Sequence, residues 1–381
     1  MMRAGSMDIV FIGLSITSAW GNGHATTYRG LIASLARRGH RVTFLERDVS
    51  WYAANRDLAS ADYCDIVLYP SVEELKRRHE ALVRRADLVV VGSYVTEGIA
   101  VGQWVVETAR GVTSFYDIDT PVTIANMKKN KCCYLNADLI SRFDLYLSFT
   151  GGPFLSAIQK NYNIPRAYPL YCSADASSYY PDAAAPKYDL AYMGTYSPDR
   201  QPALERLLIQ PAHRWPEGRF AVAGAQYPEN SAWAENIVRF DHIAPEAHRG
   251  FYNTQRYTLN LTRADMIRAG YSPSVRLFEA AACETPIISD DWVGLDTFFS
   301  PGEEILISHS AEESLDYLRG LSEAQRVAIG EKGRRRMLNA HTPDHRAAEL
   351  ECLVMAMSGG QPLASIAAPL QERNSYAGKS I

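Results

Sequence analysis

The chain has 381 residues, more than one hydrophobic core normally organises, so two domains are expected. It is 47% hydrophobic and 22% charged with a net charge of −4, a globular balance without the basic excess that would mark nucleic acid as the main partner. No apolar run approaches the roughly 20 residues that a bilayer-spanning helix needs.

Residues 9–14 are apolar, but a glycine-rich loop follows them in place of a cleavage site, so they read as a first β-strand. From there MDIVFIGL, TTYRGLIASLARRG, HRVTFLER, ADLVVVGSY, VGQWVVETARG and VTSFYDID alternate strand-like with helical patterns. Such alternation predicts a parallel sheet covered by helices on both faces, with ligands at the carboxyl ends of its strands. Residues 170–189 break the pattern with Ser, Pro, Ala and Asp, as a linker does. Alternation restarts at YDLAYMGTY and runs through PALERLLIQ, FAVAGAQ, YTLNLT, PIISD and ILIS. The expected fold class is α/β, with two doubly wound halves: residues 1–170, a linker at 171–187, and residues 188–340. A helix over 341–358 is expected to return to the first half, and the tail 359–381, rich in small and polar residues, to be disordered. The six cysteines have neither a CxxC nor a zinc-like spacing with histidine, and read as free thiols of a cytoplasmic protein.

In the first half, the loop GLSITSAWGNGHATTYRG carries Gly21 and Gly23 for a tight turn and close backbone approach. Thr26 or Thr27 could cap the helix that follows, leaving N–H groups to face an anion or a sugar. The spacing is too long for a dinucleotide fingerprint and is not GxGxxG. His24 is either a ligand contact, to a phosphate or a hydroxyl, or a hydrogen-bonded structural histidine. The stretch FYDIDTP ends a strand with Asp117 and Asp119. The pair resembles a DxD metal motif, but it stands in the half before the linker, so no metal is expected. These carboxylates either position or deprotonate a hydroxyl, or form the turn before Pro121.

In the second half, MGTYSPDRQPALERL places Arg200 in the loop after a strand, where a guanidinium suits a diphosphate or is simply solvated. YSPSVRLFEAAACETPIISD puts a turn at a helix start, so the groups of Ser272, Ser274 and Val275 can hold phosphate oxygens. Glu279 can accept both hydroxyls of a ribose, with Arg276 its neighbour on the helix face; the alternative is a structural Arg276–Glu279 pair. Thr195, Gly224 and Arg263 complete the candidate donor-binding set.

Taken in order, GHATTYRGLIASLARRGHRVTFLERD, FYDIDTP, FTGGPFL, MGTYSPDRQPALERL and GYSPSVRLFEAAAC resemble the CgeB-like, spore-maturation type glycosyltransferases over about residues 8 to 350. RLFEAAACETPIISDD is similar to the donor-site helix and strand of the related family-4 enzymes. The resemblance implies the GT-B fold, two Rossmann-like domains facing each other across a cleft. It implies a glycosyltransferase that moves a sugar from a nucleotide diphosphate to a small-molecule, glycan or protein hydroxyl, with no cofactor or metal. Glu279 then matches the ribose-holding glutamate and Arg200 a basic residue on the diphosphate. Asp175 resembles a linker aspartate, Tyr271 stands where the family has its first glutamate, and Glu284 where it has glycine. Family-4 likeness implies retention at the anomeric carbon. The rival readings are a nucleotide-sugar epimerase on the same fold and an inactive nucleotide-binding homologue.

Overall fold

A computed structural model describes residues 5–20, 23–183, 185–229 and 231–358, which fall into two compact units. Gly21 and the tail expected to be disordered, 359–381, lie outside the described residues.

The first unit ends at Cys172 and regains the chain at Pro343. Its sheet is parallel throughout: β1 (Asp8–Gly13), β2 (Arg41–Arg47), β3 (Asp65–Tyr69), β4 (Leu88–Gly92), β5 (Val112–Asp117), β6 (Leu145–Ser148) and β7 (Ala167–Pro169), in the order β3-β2-β1-β4-β5-β6-β7. Ile9–Ile12 of β1 and Leu88–Val91 of β4 are apolar throughout because both faces are covered. Successive residues of β1 and β4 feed opposite cores, Val10, Ile12, Val89 and Val91 into one and Ile9, Phe11, Leu88 and Val90 into the other. The helix Pro343–Ser358 belongs to this unit, its Leu350 and Val354 sharing a core with Leu31 and Leu35 of the helix Gly23–Arg37. Gly30 permits that approach, since a Cβ there would stand 2.9 Å from the Pro343 ring.

The second unit, Ser173–Thr342, holds β8 (Tyr188–Met193), β9 (Phe220–Ala223), β10 (Ile237–Phe240), β11 (Gln255–Asn260), β12 (Ile287–Ser289) and β13 (Leu306–Ile307). These too are all parallel, in the order β10-β9-β8-β11-β12-β13. Both sheets repeat the doubly wound order in which connections leave the first strand in opposite directions, opening a crevice at the carboxyl ends of β1 and β4 in one unit and of β8 and β11 in the other.

The helix Val275–Ala282 ends through Glu284, whose φ of +60° is left-handed. A side chain with a Cβ is disfavoured there and glycine is not, which accounts for glycine at this place in the similar family. Glu284→Gly is expected to raise stability by about 1 kcal/mol, read as a higher urea midpoint.

Candidate active site

In the second unit three arginines, Arg200, Arg239 and Arg276, gather near Tyr227 at one end of the sheet. Arg276, 9% exposed, donates from Nε to the Met193 carbonyl at 2.8 Å and from Nη1 to Asn260 Oδ1 at 3.1 Å. Arg200 folds back onto the Thr195 carbonyl at 2.7 Å, and its Nε is buried without a hydrogen-bond partner. Arg239 lies over the rings of Tyr227 and Trp233 at 4.1 and 4.2 Å and reaches the Gly224 carbonyl at 3.3 Å. Among the described residues none of these three has a carboxylate within ion-pair distance. Asp199 accepts from the Ala264 N–H at 2.9 Å and from the Ser197 hydroxyl, tying the loop after β8 to the end of β11. Burial disfavours its charge, but those bonds and the charges of Arg263 and Arg200 hold its carboxyl below the ordinary value. Gly224, with φ of +154°, lies so close to the Gly194 carbonyl that a Cβ would stand 2.0 Å from it.

The helix Val275–Ala282 starts beside these groups. Its N-cap residue, Ser274, turns its hydroxyl to Asn260 Oδ1 at 2.8 Å, so its own side chain does not cap the first turn. Ser272 is buried. Glu279 is buried in the second turn, accepting from the Tyr252 hydroxyl at 3.0 Å, with its charge raising the pKa of the neighbouring Tyr179 alongside burial. The expected Arg276–Glu279 neighbours therefore diverge, one toward β8 and β11, the other toward two tyrosines. The spacing rule describes an exposed helix surface; this helix is buried from Arg276 to Ala282, and each side chain meets a different element. Next to it lies an open pocket of about 340 Å³, lined by Tyr271, Asp291, Trp292, Gly294 and Asp296 among others. Tyr271 holds a left-handed φ of +47°, its ring against Gly294, where a Cβ would stand 2.5 Å from it.

In the first unit, Asp117 ends β5 fully buried. Tyr146 donates to its Oδ2 at 2.5 Å, Thr123 to its Oδ1 at 2.8 Å, and the Asp119 N–H to Oδ1 at 3.1 Å. Burial pushes its carboxyl up to about 6, against these bonds. Asp119, at the N-cap of the helix Thr120–Lys128, is half-buried and accepts from the Tyr94 hydroxyl at 2.8 Å. His24 stacks on Tyr94 with ring centroids 5.6 Å apart. Burial lowers its pKa while the Asp119 charge opposes the change, which leaves a neutral imidazole at pH 7. Of the two aspartates, Asp119 is the more accessible, and Asp117 is an interior acceptor. Its folded pKa lies above its unfolded value of 3.8, so its stabilising share is present below about pH 4 and lost as pH rises through about 6. Denaturant midpoints from pH 4 to 7 are expected to fall by about 3 kcal/mol more in the wild type than in Asp117→Asn.

Residues 200–351 match the glycosyl transferase-like family model. Among curated proteins none matches the sequence. Among solved structures, an alpha-glucosyltransferase in complex with UDP-glucose and DNA containing an abasic site superposes with a TM-score of 0.69 at 14% identity, covering 92% of this chain and all of that one. Sucrose-phosphate synthase from Thermosynechococcus elongatus gives 0.66 at 14% identity, over 93% of this chain and 100% of its own. Anabaena HepE in complex with UDP and glucose gives 0.65 at 12%, over 92% and 100%. The fold is GT-B.

On this GT-B frame, Thr195, Arg200, Gly224, Arg263, Ser272, Ser274, Val275, Arg276 and Glu279 all lie in the second unit. Gly23, Asp117, Asp119 and His24 lie in the first. Gly23 is exposed, and nothing stands within 4 Å of where its Cβ would be, so sterics do not require glycine there. Arg239, Tyr94 and Glu46 escaped the sequence reading. Buried Glu46 at the end of β2 accepts from the Ile16 and Thr17 N–H groups at 2.7 and 3.0 Å and from the hydroxyls of Ser15 and Thr17, fixing the loop after β1. A glutamate directly after the apolar Phe44 and Leu45 was the available signal. Trp20 and Trp51, 38% and 58% exposed and edge to face at 4.7 Å, stand beyond β1 and β2. Among the described residues no group of three or more His, Cys, Asp or Glu side chains could hold a metal ion, and no helix is long and apolar enough to cross a membrane.

Proposed function

We propose that the protein is a glycosyltransferase that binds a nucleotide-diphosphate sugar on the second unit and moves the sugar to a hydroxyl acceptor held by the first. The observation that carries this is the cluster of Arg200, Arg239 and Arg276, whose hydrogen bonds among the described residues go to carbonyl and amide oxygens, at the start of a helix that its N-cap Ser274 does not cap with its side chain. Buried positive charge without a carboxylate calls for an anion, and guanidinium groups with helix N–H groups suit a diphosphate. The family-model match and the nucleotide-bound GT-B neighbours point the same way.

As the glycosidic bond breaks, negative charge grows on the leaving diphosphate, and prepositioned guanidinium groups stabilise it without reorganising. That is the charge a metal would otherwise supply, and we assign a metal-independent reaction, unaffected by EDTA. Asp119 with neutral His24 would take the acceptor proton. The pocket beside Tyr271, with carboxylates at Asp291 and Asp296, would receive the donor sugar. The family-4 likeness supports retention, readable as the anomeric configuration of the product by NMR. The six cysteines are all free thiols, which supports a cytoplasmic location. A thermal-shift screen against nucleotide diphosphates and their sugars tests the donor assignment. Stabilisation by the diphosphates supports it, and no shift with any of them overturns it. Donor conversion with no acceptor present would indicate an epimerase.

A carboxylate offers about four acceptor positions, so Glu279 has room for ribose hydroxyls beside Tyr252 and Tyr179. Glu279→Gln is expected to lose about 1–3 kcal/mol of nucleotide affinity. Since Arg276 does not lean on Glu279, this variant strands no buried charge. Titration with the ribo- and 2′-deoxy-nucleotide checks the assignment: if the wild type binds both equally, Glu279 does not hold the ribose.

A further inference from the structure

Two loops of the first unit hold a pair of indoles out to solvent. Trp20 follows β1, Trp51 sits in the short helix Ser50–Ala53 after β2, and their rings meet edge to face at 4.7 Å. The other four tryptophans of the chain are buried or half-buried. We propose that Trp20 and Trp51 form a stacking platform for a saccharide, so that the acceptor is a glycan with one sugar ring laid on these indoles. The proposal rests on the reading of the first unit as the acceptor side.

The two loops are stitched to each other. The Thr17 carbonyl accepts from the N–H groups of Asp57 and Leu58 at 3.0 and 3.1 Å. The Ser18 hydroxyl donates to the Asn55 carbonyl at 2.7 Å, and the Ala19 N–H to Asp57 Oδ1 at 3.1 Å. Arg29 donates to the Ile16 carbonyl at 2.9 Å and, with two nitrogens, to the Asp57 carboxylate at 3.0 and 2.6 Å. Asp48 and Arg56 close the loop that carries Trp51 with an ion pair at 2.6 Å, and Asn55 Nδ2 donates to the Trp51 carbonyl at 2.9 Å. A ligand that settles on the rings therefore has little chain to order, and exposed aromatic surface on so fixed a support marks recognition. A pyranose offers a C–H face that stacks on an indole and a rim of hydroxyls, and the same loops supply the charged groups of Asp48, Arg56 and Asp57 to bond such a rim. A protein partner fits less well: a tryptophan buries up to ~250 Å², so rings that are 38% and 58% exposed offer roughly 240 Å², against about 600 Å² per partner in the smaller stable interfaces. Nucleic acid, whose bases would also stack, is opposed by the net charge of −4.

The test is saturation-transfer NMR of the full chain with maltotriose, cellotriose, chitotriose and mannotriose as probes. At least one of them should receive saturation on its ring C–H protons when the aromatic resonances of the wild type are irradiated. Trp20→Ala and Trp51→Ala should each weaken that sugar's affinity ~5-fold or more, with Trp20→Phe and Trp51→Phe, which keep a smaller ring, in between. Both rings are exposed, so urea midpoints should stay near wild type; if an alanine variant is destabilised, its phenylalanine counterpart carries the comparison. Binding of none of the four sugars, or equal binding by the wild type and the double alanine variant, would overturn the proposal. So would a wild-type dimer in sedimentation that the double variant abolishes, which would make the pair a self-association surface, or saturation of a single-stranded oligonucleotide in place of the sugars. The readout needs no donor: if nucleotide diphosphates give the wild type no thermal shift, the glycosyltransferase reading fails while the platform still stands on its saccharide binding.

Discussion

Arg276→Met is expected to bind a nucleoside diphosphate about 10- to 150-fold more weakly than the wild type, the loss of charge-assisted bonds worth about 1.5–3 kcal/mol. Affinity for the bare nucleoside should hardly change, since the guanidinium has nothing but phosphate to attract. The apo protein gives the more telling result. Removing Arg276 leaves the Met193 carbonyl and Asn260 Oδ1 each short of a donor, which costs stability. It also removes a buried charge that, among the described residues, has no carboxylate within ion-pair distance, which restores stability. The two nearly cancel, so folding should change little while ligand affinity falls. A residue whose loss harms binding and spares the fold is the signature of a site held for function. Calorimetry beside urea denaturation of the apo variant reads both. Large destabilisation with unchanged diphosphate affinity would make Arg276 structural.

Asp119→Asn is expected to lower kcat by about 10²- to 10⁴-fold, the range for removing a general base, with donor affinity near wild type. His24→Ala should fall in the same range. If the pair acts as one unit, the double variant should be little worse than either single change. Because burial holds His24 below its ordinary pKa, the rate should not need high pH to free the imidazole. Steady-state rates from pH 5 to 9 check this: the limb due to His24 should lie below the usual histidine range, and one well above pH 7 would contradict the neutral assignment. Strict dependence on Mg²⁺ or Mn²⁺ would return the Asp117–Asp119 stretch to the metal reading.

The two parallel α/β halves were legible because strands buried on both faces read as apolar runs between helical patterns, while the GT-B assignment came from the family resemblance. Motifs at strand ends were legible for the same reason, and the places of Arg200, Arg276 and Asp119 follow from that rule. Partners remote in the chain were not. Asp117 and Asp119 look equivalent two residues apart, yet Asp117 meets Tyr146 from the next strand, 29 residues on, while the chain turns before Asp119. Glu279 meets Tyr252, 27 residues away, and no local spacing announces it. The direction of a buried helical side chain depends on what covers the helix. A spacing of three could therefore suggest an Arg276–Glu279 pair but could not say that the two would part.

The central claim, an anion site at the switch of the second sheet, is tested most directly by calorimetric titration of the wild-type protein with a nucleoside, its monophosphate and its diphosphate, at low and high salt and without added metal. Affinity should climb with each phosphate, the diphosphate binding about 10- to 100-fold tighter than the nucleoside. The advantage should shrink as salt screens the more exposed arginines. Equal affinity for all three, or binding that appears only when a divalent metal is added, would contradict the account.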